Sequence, residues 1–207
     1  MNLGAIRSRC KTRFRDLSGV LVTDATWNAH INEGIREMIA ASPHWPFLEG
    51  TANLVITPPS NSVNLPTDVW KVLAVHNLTD EYAMDEMTGR RSRFDQYPSV
   101  SVIQGYPEEY RLLGRQLQVL PFPTVATTVT VEYSVSPADL AADGDLPVFP
   151  AQYHQALVYY ALACAMEDDE KRADHYNRRY VATLEKMRAD LLSARGDSYP
   201  SINDNFF

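Results

Sequence analysis

The sequence predicts an α+β protein: an α-helical bundle with an inserted antiparallel β domain and an extended C-terminal arm. Three observations carry this. Apolar residues recur every three or four positions up to about residue 50, alternate by two from Thr51, and return to the helical period after Pro150. Strand follows strand in the middle section without crossover helices, so antiparallel pairing is expected. After Gly196 the sequence has no period at all. The bundle is therefore placed at 1–50 and 137–195, the β domain at 51–136 and the arm at 196–207.

Leu3, Ile6, Cys10, Phe14 and Leu17 predict a first amphipathic helix over about residues 3–18, ended by Ser18-Gly19. Asp24 or Thr26 can cap a second helix, because their oxygens accept orphan backbone N–H groups. Trp27, Ile31, Ile35, Met38 and Ile39 form its buried stripe, and Ser42-Pro43 stops it. His44-Trp45-Pro46-Phe47-Leu48 is a compact aromatic crossing.

Ala52–Ile56 reads as a strand, Pro58–Ser62 as a turn, and Val69–His76 as a second strand. Residues 79–100 are polar and weakly patterned, with a short helix at about 85–96. Tyr106–Leu113, Gln116–Phe122 and Thr127–Val135 are further strands, the first two joined by a hairpin at Gly114-Arg115. Pro137–Leu140 and Asp143-Gly144-Asp145 form a loop. Pro147 and Pro150 open a helix whose face carries Tyr153, Leu157, Tyr160, Ala161 and Cys164. Glu167–Glu170 is a break or tight turn. Ala173, Tyr176, Tyr180, Leu184, Met187 and Leu191 mark a last helix to about Ala194.

Composition narrows the function. The chain has 207 residues, net charge -7 and 45% hydrophobic residues, so it can bury a core but offers no basic surface on average. The charge is uneven along the chain: Arg7, Arg9, Lys11, Arg13 and Arg15 all precede the first acidic residue, Asp16. They suit contact with nucleic acid or with an acidic partner ring. The plainer reading, a solvated helix face, is favoured. Cys10 and Cys164 stand without a second Cys or a His at ligand spacing, and Cys164 reads as a core residue. The N-terminus lacks the apolar region of a signal peptide and no apolar run reaches membrane-spanning length. Assembly in a cytosol is expected, and the sequon Asn77-Leu78-Thr79 is expected to be idle.

No catalytic constellation emerges. His30, His44, His76, His154 and His175 fall in no zinc motif, and His154 and His175 read as surface groups. There is no phosphate-binding glycine loop and no nucleophile elbow. Asp143, Asp145 and Glu167–Glu170 lack EF-hand spacing. Neither a catalytic residue nor a metal site nor a cofactor is assigned. Trp27, Trp45, Phe47, Trp70, Tyr106, Tyr110 and Phe122 are all compatible with core positions. Tyr153, Tyr159, Tyr160, Tyr176 and Tyr180 occupy more than one helix face, which suggests a central helix or an interface. Phe206 and Phe207, closing a polar tail, are explained by neither.

The order of segments resembles one family. The stretch Gly105-Tyr106-Pro107-Glu108-Glu109-Tyr110-Arg111 is followed by Leu117–Pro123 and by Thr128–Tyr133. Before it come Ile31-Asn32-Glu33-Gly34-Ile35, Trp45-Pro46-Phe47 and Leu65-Pro66-Thr67-Asp68-Val69-Trp70-Lys71-Val72. After it come Pro137-Ala138-Asp139-Leu140 and Pro150–Leu157. Together they resemble the head–tail adaptor (connector) proteins of tailed bacteriophages. The resemblance is to the first connector ring of long-tailed phages and to the tail accessory factor of short-tailed phages. It implies a dodecameric homo-oligomeric ring in the virion neck, docked on the portal protein and joined to a downstream tail or neck protein. Double-stranded DNA would pass through it without sequence-specific binding, and no membrane would be involved. The resemblance also implies a C-terminal extension reaching the portal. Here that would be the segment carrying Tyr199, Pro200, Ile202, Phe206 and Phe207. Two other classes are weighed: a DNA-binding or regulatory helical protein using the Arg7–Arg15 segment, and a tail-associated cell-wall hydrolase. The acidic balance and the β insertion argue against the first, and the lack of paired catalytic carboxylates against the second.

Overall fold

The structure is a computed structural model, and it describes residues 1–16, 21–87 and 104–192. Among these are four α-helices: α1 (Leu3–Phe14), α2 (Asp24–Ala40), α3 (Gln155–Ala165) and α4 (Glu170–Leu192). The chain divides into two compact units. One holds Met1–Phe47 and the chain from Pro137 onward, and the other holds Leu48–Ser136.

In the helical unit, α3 is the central element. Its Ala156, Leu157, Val158, Ala161 and Leu162 are all buried, because α1, α2 and α4 each pack on it. The tyrosines on several faces follow from that position. Leu3, Ile6 and Cys10 of α1 and Trp27, Ile31, Ile35 and Met38 of α2 supply the facing stripes. Close approach of α2 to α3 requires Gly34. A Cβ built there would lie 2.9 Å from Cδ1 and 3.3 Å from Cβ of Tyr160.

Several helix ends differ from expectation, each for a local reason. Helix α1 stops at Phe14, with Arg15 left-handed at φ 66°. Buried Asp16 then turns the chain, accepting hydrogen bonds from Leu21 N at 2.8 Å and Val22 N at 3.1 Å. The cap of α2 is Thr23 rather than Asp24 or Thr26; its hydroxyl accepts from Thr26 N. Trp45 Nε1 donates to Met38 O at 2.9 Å, satisfying a carbonyl at the end of α2. Between Pro150 and α3 lies a single 3₁₀ turn, Ala151–Tyr153.

The β unit contains ten strands among the described residues: β1 (Glu49–Ile56), β2 (Ser62–Asn64), β3 (Val69–Asn77), β4 (Tyr82–Ala83), β5 (Asp85–Glu86), β6 (Gln104–Gly105), β7 (Glu109–Leu113), β8 (Gln116–Leu120), β9 (Phe122–Pro123) and β10 (Thr127–Val135). One sheet has the order β1-β10-β3-β4, all antiparallel. A second has the order β2-β8-β7-β5. Their inner faces share one core: Ile56, Val72, Val75, Val129, Val131 and Tyr133 from the first, and Tyr110, Leu117 and Val119 from the second. Alternate residues of β10 are buried, as period-two patterning requires. Gly114, at φ 59°, opens the two-residue hairpin between β7 and β8, the φ sign of a type II′ turn.

Three expectations for this unit are corrected. Asp85-Glu86 does not begin a helix; it pairs in parallel with Glu109-Tyr110. The rest of the expected 85–96 helix, from residue 88, lies outside the described residues. The expected 106–113 strand begins only at Glu109, as β7, because Pro107 has no N–H for a ladder; the separate β6 before it pairs in parallel with β9. Trp70 and Tyr106 are not core residues either: they are 41% and 67% exposed.

Candidate interaction surfaces

The basic residues of α1 play distinct local roles. Arg7 contacts Asp24 at 3.5 Å and Asp143 at 2.8 Å, and Lys11 pairs with the other oxygen of Asp24. The Lys11 ammonium is the main reason that the exposed Asp24 carboxyl sits below its ordinary pKa. These two cations hold α1, α2 and the 143–145 loop together. Leu3 N and Gly4 N complete the attachment, donating to the carbonyls of Asp145 and Asp143. Arg9 is exposed and donates to Gln155 Oε1 at 3.0 Å. Exposed Arg13 lies over the Tyr159 ring, 5.5 Å from its centroid. Arg15 is also exposed, at the end of the helix.

The acidic loop is occupied by its own backbone. Asp145 Oδ2 accepts from Ala141 N and Ala142 N, both at 2.8 Å, and these bonds pull its pKa down. Asn77 is 1% exposed, with its amide donating to Asp80 and its carbonyl oxygen accepting from Thr79 N and Asp80 N. A side chain so enclosed does not present a glycan acceptor. Cys10 and Cys164 are both free, and burial pushes the Cys10 thiol up to about 12.

His154 is not a surface group. It is 3% exposed, with Nε2 2.8 Å from Phe149 O and Nδ1 2.6 Å from the Met1 ammonium nitrogen, which can donate to it. Burial holds its pKa below the ordinary value. The preceding proline-rich segment and the 3₁₀ turn bend the chain enough to bring it inward. His175 is exposed, as expected.

One spatial grouping escapes linear inspection. The ligand atoms of His30, Glu33 and Cys164 lie within 4.8 Å of one another. They come from two helices distant in sequence. Burial, and after it the Glu33 carboxylate, raises the Cys164 pKa, which keeps the thiol protonated at neutral pH and weakens it as a ligand. In the β unit, a groove of about 190 Å³ lies beside Trp70, Val69, Leu65 and Leu112.

The expected arm residues Tyr199, Pro200, Ile202, Phe206 and Phe207 lie outside the described residues. No helix among the described residues is long and apolar enough to cross a membrane.

The model of one family, SU10 adaptor protein, matches residues 1–203. The chain belongs to the SU10 adaptor family. The adaptor is thus a member of a phage head–tail adaptor family, as the order of its segments implied. No curated protein sequence matches it. The role this assigns is structural, at the head–tail junction of a virion. The surfaces above are accordingly read as contacts between proteins.

Proposed function

We propose that this adaptor forms a homo-oligomeric ring of twelve copies that docks on the portal protein and joins it to a downstream tail or neck protein. The ring would line the channel through which DNA leaves the head. The observation that carries this reading is the family match over nearly the whole chain.

The charge balance supports the channel role. A net charge of -7 repels phosphate on average, so DNA passes instead of sticking. Repetition supports the docking role. Many identical weak contacts add to a strong one when geometry lets them engage together. The segment 196–207 is proposed as the portal-binding arm, with Tyr199, Ile202, Phe206 and Phe207 as anchors and Pro200 favouring extended chain. Burying one such side chain gains roughly 1.5–3 kcal/mol, and leaving paired phenylalanines in water forgoes it.

Phage particles made without this protein test the reading. Heads should carry portal but lack attached tails, and adding the purified protein should restore joining. Normal tailed particles in its absence would overturn it.

A further inference from the structure

Charge of opposite sign gathers beside two different faces of α3. Gln155 and Tyr159, one turn apart, carry the first. There Arg9 reaches Gln155, while the guanidiniums of Arg13 and Arg179 lie 5.5 and 5.8 Å from the centre of the Tyr159 ring. Among the described residues, none of these arginines has a carboxylate partner, whereas Arg7, Lys11, Arg36 and Arg178 each have one.

Tyr160 and Cys164 carry the second face. A groove of about 390 Å³ runs between the end of α3 and the start of α4. Half-buried Tyr160, Ala163 and Cys164 line it together with the exposed carboxylates Glu167, Glu170 and Asp174. Glu33 and Glu37 of α2 act on the same place: both raise the pKa of Tyr160, after burial and Cys164. Only Asp174 of the groove's carboxylates has a basic side chain in an ion pair, Arg178 at 2.5 Å, among the described residues.

Successive residues of a helix point about 100° apart, so the Gln155/Tyr159 face and the Tyr160/Cys164 face diverge. The arginines and the groove of one molecule are therefore turned away from each other. Two different, complementary faces on one subunit define a heterologous contact, and repeating such a contact head to tail closes a ring when the rotation allows. We propose that the Arg9, Arg13 and Arg179 face of one copy docks into the acidic groove of the next copy. This rests on the ring reading above and names the subunit contact within it. Tyr159, flanked by two guanidiniums, sits at the centre of the basic face, and tyrosine and arginine are the side chains that dominate protein interfaces. The opposed charges set the register and the direction around the ring.

Two full-length variants test it: Arg9→Glu with Arg13→Glu, and Glu167→Lys with Glu170→Lys. Each is sedimented alone and as an equimolar mixture, with purified portal present and absent, after circular dichroism confirms folding. Wild type should sediment as a ring and each variant alone as a monomer, because like charges then face each other. The mixture should recover rings, since every contact in an alternating ring is again complementary. Rings from each variant alone would overturn this contact and leave the ring reading standing, as would a mixture that stays monomeric. Wild type that remains monomeric even with portal would overturn both.

Discussion

Asn32 of α2 and Leu140 of the loop before α3 exchange two hydrogen bonds. Asn32 Nδ2 donates to Leu140 O at 3.1 Å, and Leu140 N donates to Asn32 Oδ1 at 2.9 Å. The amide is 8% exposed and acts as a strand-like partner for the backbone N–H and C=O of Leu140. Arg36, one turn later, adds a two-oxygen contact with Asp139 at 2.7 and 2.9 Å. The loop thereby returns to the helical unit in a fixed place.

Replacing Asn32 by Ala should remove both bonds and strand the two backbone groups of Leu140. The expected loss is about 2–3 kcal/mol, the cost of leaving buried polar groups unmade. Arg36→Ala, which breaks an exposed pair, should cost no more than about 1 kcal/mol. Urea unfolding of both variants checks the ranking; equal losses would contradict it.

Gly34→Ala should destabilise the helical unit although alanine is the better helix former. The new Cβ meets Cδ1, Cγ and Cβ of Tyr160 at 2.9, 3.1 and 3.3 Å, and rotation of the ring moves only the first of these away. Overpacking of this kind costs about 1–3 kcal/mol, against a propensity gain of up to about 1. The penalty should shrink in a Tyr160→Ala background, measured as a double-mutant cycle. An unchanged penalty would place the strain elsewhere.

His154 gives a pH dependence of defined sign. Its folded pKa lies below the ordinary 6.5, chiefly through burial, so the unfolded chain binds the proton more readily. Its contribution is fully present above 6.5. It is lost as pH falls from 6.5 towards the depressed folded value. Wild type should lose more stability than His154→Gln between pH 7.5 and pH 5. Parallel stability curves for the two proteins would contradict a buried neutral imidazole.

Removing residues 197–207 should leave the unfolding temperature unchanged and weaken portal binding by tenfold or more, a conservative reading of losing several apolar anchors. Binding at wild-type strength by the truncated protein would show that the anchors lie elsewhere.

Much of the fold was legible because its signals are local. The alternation at Thr127–Val135 and Val69–His76, and the helical stripe from Trp27 to Ile39, come directly from spacing. What failed was decided by distant residues. Asp85-Glu86 became a strand only because Glu109-Tyr110 lies beside it. The end of α1 is the local exception: Arg15 took a left-handed conformation without the usual glycine, and the neighbouring buried Asp16 redirected the chain. The burial of His154 did not show in its local pattern because it depends on contacts with Met1 and Phe149. For the interaction surface, the basic segment stood out as a run along one helix. Its acidic counterpart did not, since Glu33 and Glu37 lie on α2, Glu167 in the turn after α3, and Glu170 and Asp174 on α4.

The central claim is the ring on the portal, and electron microscopy of the purified adaptor mixed with portal rings tests it most directly. The account predicts particles with an added, rotationally symmetric layer of twelve adaptor copies on one face of the portal. Bare portals beside monomeric adaptor, at concentrations well above those in an infected cell, would contradict it.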